Sequence, residues 1–281
     1  MTPIASSTEL PGRVTLEYVE QGDRAGMPML LLHGVSDSWR SFERVLPYLP
    51  GSIRAFALTQ RGHGDSGRPA AGYRTRDFAG DVAAFAHALG LGPAVVVGHS
   101  MGSTNAMRFA IDHPERTRGL VVLGTFASYR GNAEVGTLWQ STVSQLTDPI
   151  DPGFVREFQE STLAQPVPPS YLDAVVQESL KVPARVWRAA FEGFFEDDFT
   201  GELGTITAPT LVMWGTRDSL CSRADQDALL AAIAGSRLVV YENAGHALHW
   251  EEPKRFAADL VAFAGRLAWR NPSTRRERPL Q

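Results

Sequence analysis

The chain has 281 residues, 43% of them hydrophobic and 21% charged, with a formal net charge of -4 and a single cysteine, Cys221. Such proportions fit one α/β core carrying an insertion, and they exclude a fibrous repeat, a disordered polar chain, an intrachain disulfide and a thiolate metal cluster. With no polybasic block, no apolar run near the roughly 20 residues of a bilayer span and no signal-like start in MTPIASSTELPG, neither nucleic acid nor membrane is an expected partner, and the expected location is cytoplasmic.

In chain order, Val14 to Glu20 is rich in β-formers, and Met29 to Leu32, Ile53 to Leu58, Ala94 to Val97 and Leu120 to Leu123 are apolar runs closed by Gly, Pro or polar residues. They read as strands, several buried on both faces. Phe78, Val82, Phe85 and Leu89 recur at helical spacing, with Thr75 or Asp77 as candidate cap and Gly90 as the stop. Ser103 to Asp112 reads as helix again, closing before Pro114. This alternation predicts a parallel sheet with right-handed crossovers.

Beyond Phe126 the texture changes. Prolines cluster at 166, 168 and 169, between helical, aromatic-rich stretches over Phe154 to Leu163 and Tyr171 to Phe195. We expect a helical insertion over 127–204, dividing the core into 1–126 and 205–268. Strand patterns resume at Thr210 to Trp214 and Arg237 to Tyr241, a helix follows Pro253, and 269–281 has the polar, basic composition of a flexible tail.

The segment Gly98-His99-Ser100-Met101-Gly102 places G-x-S-x-G between a buried strand and a helix. As a bare pattern it arises by chance in about one such chain in ten, so its position carries the weight. A serine at a tight strand-to-helix turn is exposed above the sheet, and side chains at the flanking glycines would collide with neighbouring backbone. The hydroxyl needs a base and the base needs an orienting carboxylate. His246, on a loop after the strand ending at Tyr241, is the candidate base, with His249 as its rival; Asp218, after the preceding strand, is the candidate acid. After the strand ending at Leu32, Gly34 lets the backbone turn so that the Val35 amide joins that of Met101 as an oxyanion hole. His33 reads as a structural residue. Gly62-His-Gly64-Asp-Ser-Gly67 fits G-x-G-x-x-G, but no helix opens directly behind it, so it reads as a turn and not a nucleotide site. His246, His249 and Glu252 lack the H-E-x-x-H spacing of a zinc site.

Together HGVSDSW (33–39), RGHGDSGRP (61–69), GHSMGS (98–103), GTRD (215–218) and NAGHALHWEEP (243–253) resemble the α/β-hydrolase superfamily, in the lidded branch of serine esterases, lactonases and carbon–carbon bond hydrolases. The resemblance covers roughly residues 14 to 268, and the order Ser, Asp, His is that of the superfamily. It implies the α/β-hydrolase fold, with an eight-stranded, mostly parallel sheet, helices on both faces, a helical lid and no cofactor or metal. The implied substrate is a small-molecule ester or lactone; carbon–carbon cleavage and perhydrolysis are neighbouring reactions, and a hydrolase-like receptor is the non-enzymatic alternative. Trp139, Phe154, Leu163, Trp187, Phe191 and Phe194 of the insertion are the candidates to line an apolar substrate pocket. The sequence leaves the oligomeric state open.

Overall fold

Unbroken apolar runs become strands whose alternate residues feed two different cores. In the computed structural model, which describes residues 5–267, eight strands form one sheet: β1 (Ala5–Glu9), β2 (Thr15–Gln21), β3 (Met27–Leu32), β4 (Ile53–Leu58), β5 (Ala94–His99), β6 (Thr117–Leu123), β7 (Thr210–Gly215) and β8 (Arg237–Tyr241). Their order is β1-β2-β4-β3-β5-β6-β7-β8. The β1–β2 and β2–β4 pairs are antiparallel and the rest parallel. Leu30, Leu32, Val96, Leu120, Val122 and Val212 face one core, whereas Met29, Leu31, Val95, Val97, Val121, Leu123, Leu211 and Met213 face the other. A period of two within a continuous hydrophobic run is what a sheet covered on both faces requires.

The helices supply the covers. Against the first core pack α1 (Thr75–Ala88), α2 (Met101–Asp112) and α7 (Arg223–Ala232), through Val82, Phe85, Met107, Phe109 and Leu229. Against the second packs α9 (Pro253–Ala264), which follows the short α8 (Leu248–Glu251) and contributes Phe256, Ala257 and Leu260, together with the turn holding Trp39 and Phe42. Each fully buried large apolar side chain contributes about 1.5–3 kcal/mol, so the two layers dominate the fold's stability.

Between β6 and β7 stand α3 (Ala133–Ser141), α4 (Pro152–Ser161), α5 (Pro169–Leu180) and α6 (Ala184–Glu196). Their apolar faces meet in a third cluster that includes Val35, in the loop after β3, and Met101, the first residue of α2 after β5, so these helices sit over the carboxyl edge of the sheet.

Several sequence expectations change. The strand β1, composed of Ala-Ser-Ser-Thr-Glu and largely exposed, was not expected: a polar edge strand has no hydrophobic alternation to reveal it. Helix α2 begins at Met101 rather than Ser103. The expected helical stretch from Tyr171 to Phe195 is two helices, parted before Ala184 by Pro183, and α3 was not foreseen. Thr75 does not cap α1 but is its first residue; its N–H and hydroxyl both donate to Asp197, with the N–H bond at 2.8 Å. Asp77 instead accepts from the Arg74 N–H at 3.0 Å. The expected tail, 269–281, lies outside the described residues. No described helix is long and apolar enough to cross a membrane.

Candidate active site

The strand ends place the chemistry. Ser100 follows β5 and is the N-cap of α2, with φ 52° and ψ −117°. This is a left-handed turn that a non-glycine residue adopts only where its surroundings hold it. Its N–H donates to Leu123 O at 2.9 Å, and Ser103 Oγ bridges the same strand by donating to Leu123 O and accepting from Leu123 N–H. The glycines on either side have no room for a side chain: a Cβ on Gly98 would stand 2.2 Å from Gly102 O, and one on Gly102 would stand 2.1 Å from Leu32 O.

Asp218 and His246 occupy the loops after β7 and β8. The imidazole Nδ1 lies 3.0 Å from Asp218 Oδ2 and 3.1 Å from Oδ1. Both side chains are almost wholly buried. Asp218 Oδ1 also accepts from the amides of Leu220 and Cys221, at 2.9 and 3.0 Å. Burial pushes the Asp218 carboxyl up, but the neighbouring His246, its hydrogen bond and these two amides bring it net below the ordinary value. Burial likewise pushes His246 down, and the charge and hydrogen bond of Asp218, with the charge of Asp37, raise it net above the ordinary value. Nδ1 is thus committed to Asp218, and Nε2 is the ring nitrogen left without that partner.

His249 stands apart from this pair. Its Nε2 is 3.0 Å from Ser41 Oγ, and burial followed by the charge of His246 holds its pKa well below the usual range. His33 is a buried brace: its Nδ1 donates to Gly34 O at 2.7 Å and its Nε2 accepts the Gln60 N–H at 2.9 Å. Cys221 is buried, as a small apolar residue would be, with Sγ 3.9 Å from His246 Nδ1. Among the described residues, Asp218, Cys221 and His246 form the sole metal-like grouping, and its His and Asp are already paired with each other. In the Gly62 to Gly67 turn, Gly62 N–H bonds Gly67 O, and the next helix opens only at Thr75, as expected of a structural loop.

Ser100, His246, Gly34 and Val35 line one cavity, partly open to solvent. The amides of Val35 and Met101 have no protein acceptor among the described residues. Of the six expected pocket residues, Phe191 and Phe194 line the cavity and four do not. Trp187 is fully buried behind the wall, packed on Phe154 and Phe158 with ring centroids 5.8 and 5.0 Å away. Trp139 stacks on Phe191 at 6.3 Å. Leu163 packs with Ala247 and Trp250, beneath the His246 loop. Helical periodicity shows which residues are apolar but not which of two apolar neighbours, front or rear, meets the ligand.

Sequence reasoning missed the cavity's polar end. Asp37, His99, Gln159 and Thr162 all line it. Gln159, from α4, donates to Asp37 Oδ1 at 3.0 Å and to Ser179 Oγ at 2.8 Å. Burial, only partly offset by hydrogen bonds from Gln159 and Ser41, pushes the Asp37 carboxyl up to about 7. The signal available in sequence was the Asp and Ser pair directly after Val35.

Comparison with known proteins agrees with this architecture. The sequence model described as alpha/beta hydrolase fold matches residues 27–253. A 2-(acetamidomethylene)succinate hydrolase of Mesorhizobium japonicum is 37% identical over 112 residues, which is 40% of this chain and 40% of that protein. A non-heme chloroperoxidase of Streptomyces lividans is 29% identical over 270 residues, covering 88% of this chain and 94% of the relative. Among solved structures, an esterase from Exiguobacterium antarcticum superposes with a TM-score of 0.82 at 23% identity, over 93% of this chain and all of the other. The match across most of the chain, on a sheet of this order and direction, makes the protein a member of the α/β-hydrolase family.

Proposed function

We propose that this protein is a serine hydrolase that cleaves carboxylic esters of small to medium, uncharged, apolar substrates through an acyl-enzyme. The observation that carries the reading is the pairing of His246 Nδ1 with Asp218 at 3.0 Å, in a histidine that lines the same cavity as Ser100. Ser100 Oγ attacks the ester carbonyl while His246 Nε2 takes its proton, and the carbonyl oxygen becomes an anion facing the Val35 and Met101 amides. Collapse expels the alcohol, which receives that proton from His246. Water, deprotonated by the same nitrogen, then attacks the acyl carbon, and the acid leaves as Ser100 regains its hydrogen.

Substrate class follows from the walls. Phe126, Val135, Leu138, Phe158, Phe191 and Phe194 give an apolar surface, and no Lys or Arg among the described residues lines the cavity. A dicarboxylate such as the succinate in a relative's name would bury two charges without a counter-ion, at a cost of several kcal/mol each. A lactone satisfies the same walls and the same chemistry, and it is the second substrate class to try.

The test is a panel of neutral esters and lactones graded in acyl length, with mass spectrometry of the enzyme during turnover. An acyl adduct on the peptide holding Ser100, absent in Ser100→Ala, is the expected result. Turnover without an adduct and undiminished in Ser100→Ala overturns the reading.

A further inference from the structure

Tyr129 lies outside every motif, in the segment between β6 and α3, yet its side chain lines the cavity beside Ser100. Its ring is held on two sides, stacked on Phe194 at 4.5 Å and 16°, and edge-on to Phe126 at 4.6 Å and 73°. Its hydroxyl is held as well: Thr104 Oγ1, one turn along α2 from Ser100, donates to it at 3.2 Å. Thr104 fills one acceptor position of the phenol oxygen, which leaves the phenol's own hydrogen available to donate, and the Ser100 hydroxyl is its other neighbour. A buried phenol with this surrounding stays protonated; burial pushes its pKa up further than its hydroxyl neighbours pull it down.

A clamped neutral donor beside the nucleophile has a defined use. When Ser100 Oγ bonds to the carbonyl carbon of an ester, the alkoxy oxygen, already bonded to that carbon, comes to stand next to Oγ in the tetrahedral intermediate. We propose that the Tyr129 hydroxyl donates a hydrogen bond to the alkoxy oxygen of the leaving group, making it a catalytic donor that completes, with His246, the reception of the departing alcohol. His246 supplies the proton that ends on the alcohol; Tyr129 keeps its own throughout. The donor matters most for alkyl esters, whose leaving oxygen carries the greatest charge before protonation, and least for aryl esters with acidic leaving groups. The arrangement therefore suits an enzyme of unactivated alkyl esters. This inference rests on the serine-hydrolase reading above.

The test compares acylation rates of wild type, Tyr129→Phe and Thr104→Val on two series with one acyl group, alkyl esters and p-nitrophenyl-type aryl esters. Phe preserves the ring stack, and thermal melting checks that the fold is retained. Tyr129→Phe is expected to lower the alkyl-to-aryl rate ratio by about 10- to 100-fold, reaching at most the lower end of the roughly 10²- to 10³-fold loss for one oxyanion-hole donor. Thr104→Val, which frees the phenol to turn away, is expected to lower it less. A structural role would slow both series equally. An unchanged ratio, in a wild type that turns over both series, overturns the inference alone; a wild type that acylates with neither overturns the serine-hydrolase reading and this inference together.

Discussion

The sheet core and the four helices inserted after β6 position their side chains by different physics. In the core, backbone contact fixes the site: Gly98 and Gly102 sit where a Cβ would meet carbonyl oxygens at 2.2 and 2.1 Å, so the turn at Ser100 has a single geometry. In the insertion, amphipathic helices settle by mutual packing, and Phe194 reaches the cavity while Trp187, seven residues earlier on the same helix, is buried behind it. The difference teaches that a motif of small residues reports position, whereas an apolar stripe reports only burial.

The comparison breaks most sharply at Ser100, the proposed nucleophile. Ser100→Ala is expected to lower kcat at least about 10⁴-fold with the melting temperature nearly unchanged, measured by ester turnover and thermal melting. Wild-type melting with retained rate would remove the core from the chemistry. Asp218→Asn comes next, with an expected loss of about 10²- to 10⁴-fold in kcat. It also moves a pH limb. The proposed base His246 can take a proton only when neutral, and its partner raises its pKa above the ordinary value, so activity is expected to fall on acidification through a midpoint above that of free imidazole. Without the carboxylate that midpoint shifts to lower pH; a pH profile of kcat/KM for both proteins reads the shift.

In the insertion, effects divide by side of the wall. Phe194→Ala should change which acyl length is preferred, by roughly tenfold in relative kcat/KM, as expected for removing a pocket wall. Trp187→Ala should cost about 3–5 kcal/mol of stability in denaturant titration while leaving the length preference in place. If Trp187→Ala alone moved the preference, front and rear would have been assigned the wrong way round. The smallest effect is expected at Asp37. Its folded carboxyl titrates at about 7, above the ordinary value near 3.9, so the folded state is penalised as the group ionises and stability declines between about pH 4 and pH 7. Asp37→Asn should flatten the dependence of melting temperature on pH across that window.

Legibility in sequence follows the same division. The strand β2 declared itself by its β-formers and β3 to β8 because each holds a short apolar run between breakers, and the triad candidates because each sits on a loop after such a run. The edge strand β1 carries polar residues on a half-exposed ribbon, which no periodicity separates from coil. Tyr129 and Gln159 were invisible because their roles depend on partners 25 and 122 residues away, as in the Thr104–Tyr129 and Asp37–Gln159 bonds. For the Trp139, Phe154, Leu163 and Trp187 side chains, composition gave the right layer and the wrong face.

The Asp197 carboxylate ties the inserted helices to the scaffold. By accepting from the first N–H of α1 it places its charge at the positive end of a core helix, and it does so from the C-terminal edge of α6. Exchanging the inserted helices between relatives to swap substrate ranges would therefore uncap a helix that belongs to the scaffold. A chimera joined before residue 197 keeps that latch, and one joined after it must bring an acid of its own.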